Sequence, residues 1–215
     1  MRILSLQISK GVSPDLAIAL EALDLEELKT EIIRKMIHFL IALCPGMAAI
    51  NRPFTVVILM AGTLIYTYME ALRFIGVEVP LISEVTDMAS RSRDKGRFVL
   101  GPITLGIGAL LALLLYPSPA ASIAIYALAF GDGLAGLVGK LFGRIRPAFL
   151  CGKSIEGSAA CFLAVLFIAY QISGNYFTAL IAAATATLVE ALPLEDYDNL
   201  ALPLIVGLAV QLSAF

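Results

Sequence analysis

Gly131-Asp-Gly-Leu-Ala-Gly-Leu-Val-Gly-Lys-Leu-Phe-Gly143, continued by Gly152-Lys-Ser-Ile-Glu-Gly-Ser158, is the stretch on which the reading of this chain turns. It starts inside a long apolar segment, yet it carries Asp132, Lys140, Lys153, Glu156 and a series of glycines. A carboxylate in a membrane helix is costly and by default marks a functional site with a partner. Glycines let backbone or ligand approach closely, and a Gly-Asp-Gly step weakens a helix where it occurs. Small residues alone would suit helix packing. Acid, lysines and glycines together point to a site for a polar ligand.

Working outward, 60% of the 215 residues are hydrophobic and mean hydropathy is +0.91, more apolar surface than a soluble domain of this length can hide. The expected fold is all-α, a polytopic transmembrane bundle of about seven spans. The apolar stretches lie near 33–50, 53–74, 97–116, 119–140, 157–173, 176–193 and 199–215. Very short connections at 51–52, 117–118 and 174–175 imply antiparallel neighbours. Loops at 75–96 and 141–156 hold most of the charge. Two regions are expected: a cytoplasmic or interfacial amphipathic segment over 1–30 and a transmembrane domain over 31–215. Ser13 and Pro14 read as a helix start, and Leu16, Leu20, Leu23 and Leu28 recur against Glu21, Asp24, Glu26 and Glu27. No removable signal peptide is expected in the first ten residues. Cys44, Cys151 and Cys161 form no CxxC pair, so neither a disulfide framework nor a zinc site follows.

Fourteen of the fifteen Lys and Arg fall on one side of this topology, Arg52 being the exception. The bias puts the amino terminus and the charged loops, with Arg91, Arg93, Lys95 and Arg97, in the cytoplasm. The intramembrane acids gather at the same border. Glu70 and Glu190 fall at cytoplasmic ends of spans, and Asp132 lies about 12 Å below the end marked by Lys140 if helical. Glu195, Asp196 and Asp198 fill the last cytoplasmic loop. A channel would need polar residues along its whole path, so this asymmetry favours a site open to one side.

Lysine and glycine-rich backbone bind phosphate, and carboxylates bind Mg²⁺, so the two sets together suggest a metal–nucleotide complex. No P-loop is present. Pro147 stands where the first glycine before Gly152-Lys153-Ser154 belongs, and Leu134 where that before Gly139-Lys140 belongs.

Arg34-Lys35-x-x-His38, Gly131-Asp132-Gly133 with Gly139-Lys140-x-x-Gly143, Lys153-Ser154-Ile155-Glu156-Gly157-Ser158, and Glu190 followed by Asp198-Asn199-Leu200 resemble the CTP-dependent polyprenol kinase family. That family includes dolichol kinase, phytol kinase and the CTP-dependent diacylglycerol kinase, and is distantly similar to phosphatidate cytidylyltransferases. The resemblance runs from about residue 31 to the carboxyl terminus and departs at Gly136, where many members carry Asp or Ala. It implies transfer of the γ-phosphoryl group of CTP to the hydroxyl of a membrane lipid alcohol at the cytoplasmic border, with Mg²⁺ as cofactor. The lipid, CTP and the bilayer are then the partners, and no nucleic acid is expected.

By the same resemblance, Asp132, Lys153 and Glu156 are the catalytic candidates, and Asp132, Glu190 and Asp198 the metal ligands. Gly131, Gly133, Lys140, Gly143, Ser154, Gly157, Ser158, Arg34 and Lys35 are candidates for nucleotide and phosphate contact, with His38, Glu70 and Asn199 beside them. Each has a structural alternative: a helix–helix salt bridge for Asp132, a snorkelling lysine at 140, a first-turn acid at 156, a cap at 198–199 and a structural histidine at 38. Competing functions are a cytidylyltransferase, a small transporter and a non-catalytic scaffold.

Overall fold

The structure, a computed structural model, describes residues 14–77, 79, 80, 82–90 and 96–213, with side chains except at 14–24, 82 and 87. Ser13, Arg2, Lys10, Arg91, Arg93 and Lys95 lie outside the described residues, as do the side chains of the amphipathic pattern before residue 25. The described chain is all-α, built from α1 (Pro14–Leu40), α2 (Leu43–Phe74), α3 (Ile82–Ala89), α4 (Gly101–Leu115), α5 (Ala120–Tyr126), α6 (Gly133–Phe142), α7 (Ile155–Ser173), α8 (Tyr176–Ala191) and α9 (Asp198–Ser213).

Helix α1 runs unbroken from Pro14 to Leu40 across residue 30, and the turn at 41–42 divides the expected first span of 33–50 between α1 and α2. Helix α2 is not one rod. Asn51 leaves helical geometry at φ −152°, ψ 95°, and its side chain accepts the Phe54 N–H at 3.0 Å, capping the segment that begins again with Pro53 in its first turn. Arg52, beside the break, donates to the carbonyls of Leu113 and Tyr116 at the end of α4. At the other end of the same pair, Glu70 accepts the Val99 N–H at 2.7 Å. The second part of α2 therefore lies antiparallel to α4.

A second antiparallel pairing fixes α1. Lys140 reaches Glu27, Lys35 reaches Asp132, and Phe39 stacks on Phe130 at 5.6 Å. Between α5 and α6 the backbone forms a π-helical turn over Ala127–Asp132, the local weakening expected beside Gly-Asp-Gly. Small residues let the helices close on this central pillar: Ala109, Ala124, Ala129, Ala169, Ala182 and Ala186 are wholly buried. Ser154 caps α7 by accepting the Gly157 N–H at 3.1 Å. Asn175 caps α8 through the Phe177 and Thr178 amides.

Position in the bundle separates the long apolar segments. Of the most apolar window of Ala120–Phe142, 61% is buried, against 6% for Leu25–Phe74 and 22% for Ile155–Ser173. All three are long and apolar enough to cross a membrane, and the apolar helices Gly101–Leu115 and Tyr176–Ala191 are shorter. Outward faces carry Phe54, Leu64, Leu163, Phe167, Phe177 and Leu188, all exposed. Such a belt is stable only against hydrocarbon or another protein, and with these helix lengths it defines a membrane bundle. The α-helix that the sequence left as loop, among the described residues, is α3, whose eight residues mix Ser, Glu, Thr and Asp with apolar positions.

Candidate functional site

At one end of the bundle the helices diverge around a cavity of about 800 Å³, within the range of small-molecule sites. Its wall gathers Arg34, Lys35 and His38 from α1, Asp132 from the π-turn and Lys140 from α6. From the other side come Lys153, Ser154 and Gly157 at the start of α7, Glu190 at the end of α8, and Asp198 and Asn199 at the start of α9. Residues up to 165 positions apart in sequence thus meet in one volume.

Asp132 is held from across the bundle. Lys35 Nζ lies 2.6 Å from its Oδ2 and 3.1 Å from its carbonyl, while His38 Nδ1 lies 3.2 Å from the same Oδ2. The pair is buried, with Lys35 only 4% exposed, so each charge needs the other. Both contacts fall on Oδ2, and among the described residues neither takes Oδ1. The salt-bridge alternative for Asp132 is therefore realised, with one carboxylate oxygen left over. His38 Nε2 and Arg34 Nε are buried without a hydrogen-bond partner among the described residues, unspent capacity next to the cavity. The other face of Arg34 is used, its guanidinium lying 2.6 Å from Glu31.

On the opposite wall Lys153 donates to the Glu190 carbonyl and stands 3.4 Å from its carboxylate, whose second oxygen is 3.3 Å from Ser158 Oγ. Lys140 is drawn to Glu27, at 3.0 Å from its carbonyl and 3.4 Å from its carboxylate. Asn199 ties α9 to α4 through Gly101 and Thr104 while still facing the cavity.

Several expected site residues sit outside the cavity wall. Glu156 accepts the backbone N–H groups of Arg144 at 2.9 Å and Ile145 at 3.2 Å, fastening the loop that leads into α7. Glu70 is wholly buried and spent on Arg73 and Val99. Gly131 and Gly133 lie against other helices, where a methyl group would meet Val165 and Phe39, and Gly143 packs on Ser154. Gly136 does the same beside the site: a methyl there would stand 2.6 Å from Lys35 Cε. The small residues of the quoted stretch thus admit α1 and α7 to close range.

Sequence reasoning missed Arg146 as a wall residue. It donates to the carbonyls of Gly139 at 2.6 Å and Gly152 at 2.5 Å, clasping the two glycine segments together. Its sequence signal was an arginine in a basic loop, indistinguishable there from a topology marker.

Mg²⁺ can be tested against this donor set. Among the described residues no three His, Cys, Asp or Glu side chains converge to cage an ion by themselves. Asp132, Glu190 and Asp198 nevertheless face one cavity with hard oxygen donors. Mg²⁺ commonly takes one or two protein carboxylates and completes its shell with phosphate oxygens and water, so the residues fit.

The fold and this cavity define a helical membrane protein with an acid–base site at one end. Its relatives point the same way. An uncharacterized protein of Methanocaldococcus jannaschii is 31% identical over 62% of this chain and 68% of its own length. Probable phytol kinase 1, chloroplastic, of Oryza sativa subsp. japonica is 28% identical over 73% of this chain. Phytol kinase 1, chloroplastic, of Arabidopsis thaliana is 28% identical over 64%. The chain spans 60% and 51% of the lengths of those two phytol kinases. No family model matches the chain, and no solved structure matches it. The chain is similar to phytol kinases over about half of their length.

Proposed function

We propose that this protein is a membrane lipid kinase that transfers the γ-phosphoryl group of CTP to the hydroxyl of a phytol-, polyprenol- or diacylglycerol-like alcohol. The observation that carries the reading is the meeting of Arg34, Lys35 and Lys153 with Asp132, Glu190 and Asp198 in one cavity of about 800 Å³. The phytol kinase relatives support the reaction class. The donor's identity as CTP rests on the motif resemblance. The bias of basic residues supports placing this end of a seven-span bundle in the cytoplasm, where a nucleotide arrives.

Phosphoryl transfer asks the protein for positioning and charge neutralisation more than for covalent chemistry. Lys153, anchored on the end of α8, and Arg34 face the cavity as donors for phosphate oxygens. Lys35 and His38 fix the Asp132 carboxylate through Oδ2, so Oδ1 can accept the acceptor's hydroxyl hydrogen and aim its oxygen. The products are a lipid monophosphate and CDP, and the hydroxyl proton leaves to solvent. Glu190 and Asp198 would hold Mg²⁺, with Asp132 across the cavity; bound with the nucleotide, the ion supplies neutralisation of phosphate charge.

The test uses purified protein in detergent with Mg²⁺, CTP labelled on the γ-phosphate, and a pool of lipid alcohols with phosphatidate. Label in the lipid with CDP released is the expected result, and chelation of the metal should abolish it. Label in pyrophosphate with CMP on the lipid would make the protein a cytidylyltransferase. Absence of turnover with every acceptor would overturn the kinase reading.

A further inference from the structure

The cavity has two unlike halves. The charged half belongs to Arg34, Lys35 and His38 of α1, the π-turn, α6, the 143–154 loop and the ends of α8 and α9. The facing half is apolar, with Ile37 from α1, Val85 and Ala89 from α3 and Leu105 from α4. Its polar exceptions are Tyr66 of α2 and Thr86 of α3, whose hydroxyls are 3.4 Å apart.

Helices α1 and α2 are consecutive, both line the cavity, and each packs on the short helix α3. The outer faces of both helices are apolar and exposed, with Met36 and Leu40 on α1 and Leu64 and Ile65 on α2. In a bilayer that surface is covered by hydrocarbon. One cavity therefore borders lipid at its apolar half and carries Asp132 and Lys153 at its polar half.

We infer that the apolar half is the seat of the acceptor's hydrocarbon chain, entered sideways from the bilayer between α1 and α2 at α3. The occupant is a long-chain alcohol lying with its hydroxyl toward Asp132 and its chain along Ile37, Val85, Ala89 and Leu105. The inference rests on the lipid-kinase reading and adds the route and the side of the site that selects for chain. The energetics favour a sideways route. Each methylene taken through water costs about 0.8 kcal/mol, so a chain of many carbons is carried most cheaply by a path that stays in hydrocarbon throughout. The slot offers few hydrogen-bonding groups apart from Tyr66 and Thr86, so it suits hydrocarbon better than a polar headgroup.

Two experiments test this. The first needs no turnover. A twenty-carbon isoprenoid alcohol carrying a diazirine in its tail is photolysed with the unmodified protein in lipid nanodiscs, and the adducts are mapped. Adducts at Ile37 and within 82–90, competed away by unlabelled phytol, are expected; adducts confined to outward-facing residues such as Leu64 and Phe167 would overturn the slot even if the protein proves to be a kinase. The second is Ala89→Trp, which fills the slot without touching the charged half. Turnover of phytol should fall at least about tenfold through a raised KM, as expected for a lost hydrophobic subsite. Turnover of a five-carbon prenyl alcohol and binding of CTP should stay within about twofold of the parent, the scale of a substitution that spares the charged half. Equal turnover of phytol by parent and variant would overturn the proposal. If the parent turned over no alcohol while the photolabel still entered the slot, the kinase reading would fail and the chain-binding slot would stand.

Discussion

Asp132 and Glu70 are both carboxylates in apolar segments, and both are buried. Glu70 is satisfied inside the fold: Arg73, three residues further along the same helix, gives it two hydrogen bonds of 2.7 Å, and the Val99 amide gives a third. Asp132 takes its partners from a helix 97 residues away, on one oxygen, and shows the other side of its carboxylate to the cavity. Burial alone does not distinguish a working acid from a structural one. The distinction lies in what the second oxygen faces. Glu70 holds the start of α4, and with it the apolar cavity wall; Asp132 holds the centre of the charged wall.

Substitutions should pull the two acids apart. Asp132→Asn should lower turnover by about a thousandfold, the scale of losing a preorganised group at a reacting centre. Lys35 loses its buried counter-charge, so the unfolding midpoint should fall as well, while the Asp132 carbonyl at 3.1 Å still gives its ammonium a partner and the bundle should form; the labelled-nucleotide assay, read per folded molecule, and a thermal melt on one preparation check both parts. Glu70→Ala should do the reverse. It takes two hydrogen bonds from Arg73 and the acceptor from the Val99 amide, and breaking a buried pair costs about 3–5 kcal/mol, read as a lower unfolding midpoint in detergent with turnover per folded molecule retained. Lys153→Met should raise KM for the nucleotide by about 10- to 100-fold, the value of a charge-assisted hydrogen bond, in a titration of initial rate against CTP. The smallest effect belongs to Glu156→Ala. It frees two exposed loop amides that water can satisfy, so turnover should change only a few-fold; a larger loss would return Glu156 to the catalytic group.

The same contrast explains what the sequence made legible. The helical membrane bundle could be read because apolar runs and their breaks at Asn51-Arg52, Pro117-Ser118 and Gly174-Asn175 are local signals, and each break recurs in the structure as a helix end or kink. Helix α3 was hidden because eight residues of mixed polarity offer no periodic run to detect. The gathering of Arg34, Lys35, His38, Asp132, Lys153, Glu190 and Asp198 was anticipated by side and by motif. Their pairing was not: nothing local tells Lys35 that Asp132 is its partner. For Gly131, Gly133 and Gly136 the residue type was informative but ambiguous, since a missing side chain serves a ligand and a neighbouring helix equally. The positions of Val165, Phe39 and Lys35 show the helix contacts. Glu156 was ambiguous for a similar reason, because an acid in a first turn meets amides as readily as it meets a metal.

On the proposed function, phosphoryl transfer occurs in the charged cavity with Asp132 as its working acid. The most direct measurement follows label from the γ-phosphate of CTP into lipid alcohol for the parent, Asp132→Asn and Glu70→Gln, with folded protein quantified in each sample. Labelled lipid is expected from the parent and, per folded molecule, from Glu70→Gln, with essentially none from Asp132→Asn. Undiminished labelling by folded Asp132→Asn would contradict it.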